Sequence, residues 1–188
     1  MEFILIFGPQ AVGKMTVGLQ LSKRLGYKLF HNHVSIDFLT PHFEFGTPSF
    51  SRLCEYLRTE FIREACESKY PGVIGTVVWA LNVPSDRVQV DRWSDIVAEH
   101  GGKTYFVELA AGLDVRRGRN KTESRNLHKP QVVPITEATL ESWNGGYVLN
   151  SNGDFFYPDN HLKIDNTDLS PEIVAEMTIE HFGLGKGK

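Results

Sequence analysis

The residues with the clearest chemical purpose lie near the start of the chain: Gly8-Pro9-Gln10-Ala11-Val12-Gly13-Lys14-Met15-Thr16. The spacing G-x-x-x-x-G-K is that of a phosphate-binding loop. Glycines permit left-handed backbone conformations, so several N–H groups can converge on phosphate oxygens. The helix that follows adds its positive N-terminal end, and Lys14 adds a mobile charge toward the outer phosphates. One position departs from the pattern. The residue after the lysine, ordinarily a Ser or Thr whose hydroxyl binds Mg²⁺, is Met15, and a thioether is a poor ligand for a hard cation. Either Thr16 supplies the hydroxyl through a shifted turn, or Mg²⁺ is held by water, nucleotide phosphates and another side chain.

A second group of candidates follows the second predicted strand: His31-Asn32-His33, with Asp37 four residues beyond His33. Ligands of open parallel sheets bind outside the carboxyl ends of the strands, so this group should face an acceptor. His31 and His33 could orient or deprotonate an acceptor hydroxyl, and Asp37 could act as a base or hold Mg²⁺. Three adjacent letters H-N-H are no evidence for a nuclease, and no third ligand has zinc-site spacing. Arg52 and Trp79 complete the acceptor candidates, Trp79 as a platform for a ring or simply as core.

The third feature is electrostatic. The chain carries a formal charge of −3, but Arg116, Arg117, Arg119, Lys121, Arg125 and Lys129 stand against Glu123 alone, giving that segment +5 and the remainder −8. A basic island on an acidic chain suits a local anionic ligand better than a long polyanion, which makes nucleic acid an unfavoured partner. Arg119 and Arg125 are the candidates to stabilise a transferring phosphoryl group, whose transition state spreads charge over its oxygens. The plain alternative is a solvated helix face with Arg119 and Glu123 as an i,i+4 pair.

These groups need a scaffold. Apolar stretches alternate with helical patterns, the signature of a parallel sheet covered by helices on both faces. Strands are expected at Phe3–Phe7, Lys28–His31, Val73–Trp79, Thr104–Leu109 and His161–Ile164. Helices are expected at Lys14–Leu25, Ser49–Ser68, Pro84–His100, Leu113–Glu123, a short Thr136–Trp143, and one opened by Ser170-Pro171-Glu172 and closed by Gly183. The 188 residues, 41% hydrophobic and 23% charged, suit one globular domain over 1–188. No apolar run is long enough to span a bilayer. Two cysteines without metal-ligand spacing, Cys54 and Cys66, favour the cytoplasm.

Together the phosphate loop, the Arg116–Lys129 segment and Ile164-Asp165-Asn166-Thr167 resemble the P-loop kinases of the nucleoside-monophosphate-kinase and shikimate-kinase group. The strings Arg119-Asn120-Lys121-Thr122-Glu123-Ser124-Arg125 and Asn150-Ser151-Asn152-Gly153-Asp154 also resemble a set of bacterial proteins labelled ATPases or shikimate kinases. The group resemblance implies a three-layer fold with strand order 2-3-1-4-5, ATP as donor, and an arginine-bearing lid over about 116–135. It implies Arg116 on the adenine or α-phosphate side, with Asn166 and Thr167 bordering the adenine. It also implies an acceptor-side insertion over about 32–70, with Phe43-Glu44-Phe45-Gly46-Thr47-Pro48 closing over the acceptor. Two departures argue against either named substrate: the Asp-Gly-rich stretch after the third strand is replaced by Trp79-Ala80-Leu81-Asn82, and the shikimate-kinase glycine cluster is absent. The expected activity is transfer of the ATP γ-phosphoryl group to a hydroxyl or phosphate of a small molecule, by a monomer or homodimer. The competing readings are a slow ATPase or nucleotide switch, favoured by Met15, and a kinase of nucleic-acid ends.

Overall fold

The computed structural model describes residues 1–121 and 136–185. Five parallel strands form one sheet in the order β2-β3-β1-β4-β5: β1 Glu2–Phe7, β2 Lys28–Phe30, β3 Gly72–Val77, β4 Lys103–Ala110 and β5 His161–Asp165. The helices are α1 Lys14–Leu25, α2 His33–Leu39, α3 Pro48–Glu67, α4 Pro84–Glu99, α5 Leu113–Asn120, α6 Glu137–Gly146 and α7 Pro171–Phe182.

The strands are apolar on both faces because both are covered, as a parallel sheet requires. Alternate residues divide the core. Ile4, Ile6, Ile74, Val107 and Leu109 pack with Val17 and Leu21 of α1 and Val174 and Ala175 of α7. Phe3, Leu5, Phe7, Val73 and Phe106 pack on the other face with Ile62 of α3 and Trp93, Ile96 and Val97 of α4. This three-layer arrangement puts the ends of β1 and β4, the start of α1 and the loop after β5 at the same carboxyl edge.

Two strands end earlier than the sequence suggests, and one helix is new. β3 stops at Val77 rather than Trp79, because the chain turns out of the sheet and Asp86 of α4 accepts a hydrogen bond from the Ala80 N–H at 3.0 Å. β2 is one residue shorter than expected. α2 was not anticipated at all, since it is seven residues long and begins without a side-chain cap at Asn32. By contrast α3 and α7 start where proline and a hydroxyl cap place them: Thr47 accepts from Phe50 N and Ser170 from Ile173 N. The expected continuation of the α5 helix to Glu123, and most of the expected lid, lie outside the described residues. Among the described residues no helix is long and apolar enough to cross a membrane.

Candidate active site

The phosphate loop has the backbone its sequence demands. Gly8 (φ 135°) and Gly13 (φ 107°) occupy conformations closed to most side chains. Gly8 also has no room for one, because a Cβ there would stand 2.3 Å from the Leu109 carbonyl oxygen of β4. Ala11 is held left-handed (φ 60°) without being glycine, a local strain of the kind that persists where the surroundings over-determine it. Gly13 caps α1 with no side-chain acceptor, and no acidic residue lies in its first turn. The first-turn N–H groups of such a helix suit an anion. Lys14 folds across the loop and donates from Nζ to the carbonyls of Gly8 and Pro9, each at 2.7 Å.

Three side chains brace this loop from outside. Asn166, buried after β5, donates from Nδ2 to the Val12 carbonyl at 2.8 Å. Arg119 of α5 donates to the same carbonyl at 3.1 Å and to the carbonyls of Asn166 (2.7 Å) and Thr167 (3.1 Å). Arg116 is buried, where desolvation pushes its guanidinium pKa down. It donates to the carbonyls of Ala111 (3.1 Å) and Gln10 (3.5 Å) and to Asn144 Oδ1 of α6 (2.7 Å). The structure thus brings Arg116, Arg119, Asn166 and Thr167 to the phosphate loop, with both arginines on backbone carbonyls.

The basic island is largely partnered by protein. Arg117 pairs with Asp114 at 2.7 Å and with Glu141, and Lys121 pairs with Glu137 at 2.6 Å. Together with Arg116–Asn144 these contacts lace α5 to α6. Arg125 and Lys129 lie outside the described residues.

On the acceptor side, His31, His33 and Asp37 do come together at the β2–α2 junction. The two histidine rings are 6.4 Å apart, and His33 Nδ1 stands 3.7 Å from Asp37 Oδ1 one helical turn on. The junction is fastened to the end of β3 by Asn32 N donating to Thr76 Oγ1 at 3.1 Å. Sequence reasoning missed Arg58 here. It reaches from α3 to α2, donating from Nε to Ser35 Oγ at 2.9 Å and from Nη2 to the Asn32 carbonyl at 3.5 Å. Burial pushes its guanidinium pKa down, and among the described residues no carboxylate lies within ion-pair distance of it. Arg58, Asn32 and Thr76 also line a void of about 20 Å³, room for one water. A signal existed: Phe50, Cys54, Arg58, Ile62 and Cys66 form an i,i+4 row in which only the cation breaks the apolar pattern.

Two acceptor candidates are not brought to that junction. Arg52 points to Ser49 on its own helix and lines an open groove with Phe43, Tyr56 and Arg92 between α3 and α4. Trp79 is 0% exposed, enclosed by Phe7, Phe106, Phe155 and Phe156, so it offers no free face for stacking.

A further centre was invisible in the sequence reading. Glu108 stands on the apolar face of β4, in line with Phe106, and is 0% exposed. Its carboxylate accepts from Asn150 Nδ2 (3.0 Å), Ser151 N (2.8 Å), Ser151 Oγ (2.6 Å) and His161 Nε2 (2.9 Å), with Lys163 Nζ at 3.2 Å. Burial opposes the charge, but the bonds from His161, Ser151 and Asn150 outweigh it and hold the carboxyl down at about 2. Asn150 also donates to the Leu109 carbonyl at 3.0 Å, the same carbonyl that presses on Gly8. The string Asn150–Asp154 thereby gains a physical role. Its first two residues tie the chain leaving α6 to the strand beneath the phosphate loop.

The two residues after Lys14 do not fit a protein-held Mg²⁺. Position 15 offers a thioether, and the Thr16 hydroxyl is donated to the Gly13 carbonyl at 2.8 Å. No group of three or more His, Cys, Asp or Glu is gathered as a metal site among the described residues.

Comparison with known proteins places the fold. No family model matches the chain, and no curated protein matches it either. Among solved structures it is similar to a gluconokinase from Sinorhizobium meliloti 1021, at 13% identity over 97% of this chain and 91% of that one, TM-score 0.63. It is similar to the shikimate kinase from Acinetobacter baumannii in complex with shikimate, at 19% identity over 100% and 95%, TM-score 0.59. It is also similar to the Mycobacterium tuberculosis APS kinase CysC in complex with AMPPNP and APS, at 14% identity over 97% of each, TM-score 0.55. The chain shares the P-loop kinase fold of these structures, and its strand order 2-3-1-4-5 is the one the resemblance implied.

Proposed function

We propose that the chain is an ATP-dependent phosphotransferase that moves the γ-phosphoryl group to a hydroxyl or phosphate of an anionic small molecule. The observation that carries this reading is the phosphate loop: a strained, glycine-shaped turn that opens an uncapped helix and holds Lys14 across its own carbonyls. Similarity to structures described as gluconokinase, shikimate kinase and APS kinase supports a small-molecule acceptor over a macromolecular one.

In this reading the loop amides and Lys14 bind the β- and γ-phosphates. Arg116, Arg119, Asn166 and Thr167 hold the loop and the β5–α7 turn in register around the nucleotide. At the acceptor junction, Asp37, paired with His33, takes the proton of the attacking hydroxyl. The new bond forms between that oxygen and the γ-phosphorus, the bond to the β–γ bridging oxygen breaks, and ADP leaves. Arg58 supplies the reason for an anionic acceptor. A half-buried guanidinium whose hydrogen bonds, among the described residues, go to a hydroxyl and a carbonyl, with Glu55 near but outside ion-pair distance, is incompletely compensated, and a carboxylate or phosphate would satisfy it.

The test is thermal unfolding with and without ATP. A ligand of the native state at about 100 times its Kd stabilises by roughly 2.7 kcal/mol, so ATP raises the midpoint of the wild type, and Lys14→Ala abolishes that shift. No protection by any purine nucleotide would overturn the proposal.

A further inference from the structure

Resting on the nucleotide reading above, we infer that this phosphate loop binds ATP without lending a side chain to Mg²⁺, so that nucleotide affinity does not depend on the cation. Mg²⁺ demands about six oxygen ligands in near-octahedral geometry and parts reluctantly with its waters. A protein that assists it needs an oxygen beside the β- and γ-phosphates, and among the described residues the side-chain oxygens nearest the loop are directed elsewhere.

Met15 occupies the first turn of α1, directly after Lys14, and presents sulfur where the cation requires oxygen. The Thr16 hydroxyl is turned back on the Gly13 carbonyl at 2.8 Å. It crowds the same face of Gly13 as the Asn166 amide: a Cβ built on that glycine would meet Thr16 Oγ1 at 3.5 Å and Asn166 Nδ2 at 3.4 Å. That face looks toward the loop after β5, on the far side of β1 from β3.

The carboxylates at the carboxyl edge are equally committed. Asp86 binds the Ala80 N–H, and burial raises its pKa, which opposes the charged form a cation would need. Glu108 is fully enclosed by Asn150, Ser151, His161 and Lys163. Asp165 accepts from Thr167 N at 3.0 Å. Asp37 belongs to the acceptor junction beside His33. The fixed positive charge opposite the phosphates therefore comes from Lys14 and the amides of α1, and any Mg²⁺ that enters with ATP is held by phosphates and water with no described side chain among its ligands.

The experiment measures ATP affinity by calorimetry in MgCl₂ and in EDTA, for the wild type and for Met15→Ser and Met15→Thr. The wild-type Kd changes by no more than about threefold between the two conditions, whereas a restored hydroxyl makes Mg²⁺ tighten binding by about tenfold, equivalent to about 1.4 kcal/mol. Thermal midpoints without nucleotide show that the variants fold. A wild-type Kd that Mg²⁺ tightens tenfold or more overturns the inference and leaves the nucleotide reading intact. So does a folded pair of variants with no gain in Mg²⁺ response, because position 15 is then not what withholds the cation. ATP binding in neither condition overturns the nucleotide reading itself, and this inference with it.

Discussion

The two halves of the carboxyl edge are built differently. Around the phosphate loop, three buried or half-buried side chains from α5 and the β5–α7 turn donate to backbone carbonyls at 2.7–3.5 Å, those of Gln10 and Val12 within the loop among them. At the acceptor junction the polar groups ride on a three-residue strand and a seven-residue helix. They are joined by the 3.7 Å His33–Asp37 pair, by Arg58 donating to Ser35 Oγ at 2.9 Å and by Asn32 N donating to Thr76 Oγ1 at 3.1 Å, so that, unlike the loop, side chains and not backbone carbonyls carry most of the contacts. Fixed donors stabilise developing charge without reorganising during reaction, so the nucleotide half suits a constant donor. In the proposed reading the β2–α2 junction is the half that meets the acceptor, and its charged groups stand on side chains of short elements.

Substitutions can break this contrast. Asp37→Asn should lower turnover by about 10²–10⁴-fold, the range for loss of a positioned base, while ATP still raises the unfolding midpoint as in the wild type. Loss of ATP protection in that variant would mean that the two halves are not separable. Arg119→Ala should act on the other half, weakening ATP by about tenfold through loss of charge-assisted bonds to Val12, Asn166 and Thr167. Its turnover at saturating ATP should change far less than that of Asp37→Asn, and a separate fall in turnover would give Arg119 a direct part in the chemistry.

Glu108→Gln should have the smallest effect on activity and a measurable one on stability, about 1–3 kcal/mol for a buried acceptor whose donors lose their partner. The sign of its pH dependence follows from a carboxyl held at about 2, below the ordinary glutamate value of 4.5. The stabilisation is complete above the unfolded value and is lost as pH falls through the folded one. The stability gap between wild type and variant should therefore narrow as pH drops below about 4.5. A gap that widens toward acid would contradict the assigned charge state.

What could be read in the sequence was what local spacing encodes. The phosphate loop, the capped start of α7 and the strand alternation depend on residues a few positions apart, whereas the Thr47 cap that opens α3 at Pro48 was not read. Even the strand order followed, once the resemblance was recognised. The unreadable parts depend on distant partners. Glu108 meets Ser151 across 43 residues, and Arg117 meets Glu141 across 24. The basic island looked like a reservoir of charge for a ligand because its charges could be counted, whereas the acidic residues of α6 that answer Arg117 and Lys121 carried no local mark of doing so. Arg58 was obscured for a related reason, since the helix displays a second apolar row through Leu53, Leu57 and Phe61 that drew the eye from the row the cation interrupts. For Arg58 the available clue was a charged residue inside an otherwise apolar row.

The central claim is that a phosphoryl group reaches a small molecule at the β2–α2 junction. The direct measurement incubates the protein with γ-labelled ATP and fractionated small metabolites, and follows the label. The account predicts label in an anionic small molecule, lost with Asp37→Asn although that variant still binds ATP. Label appearing only as free phosphate, at a rate that no metabolite fraction alters, would contradict it.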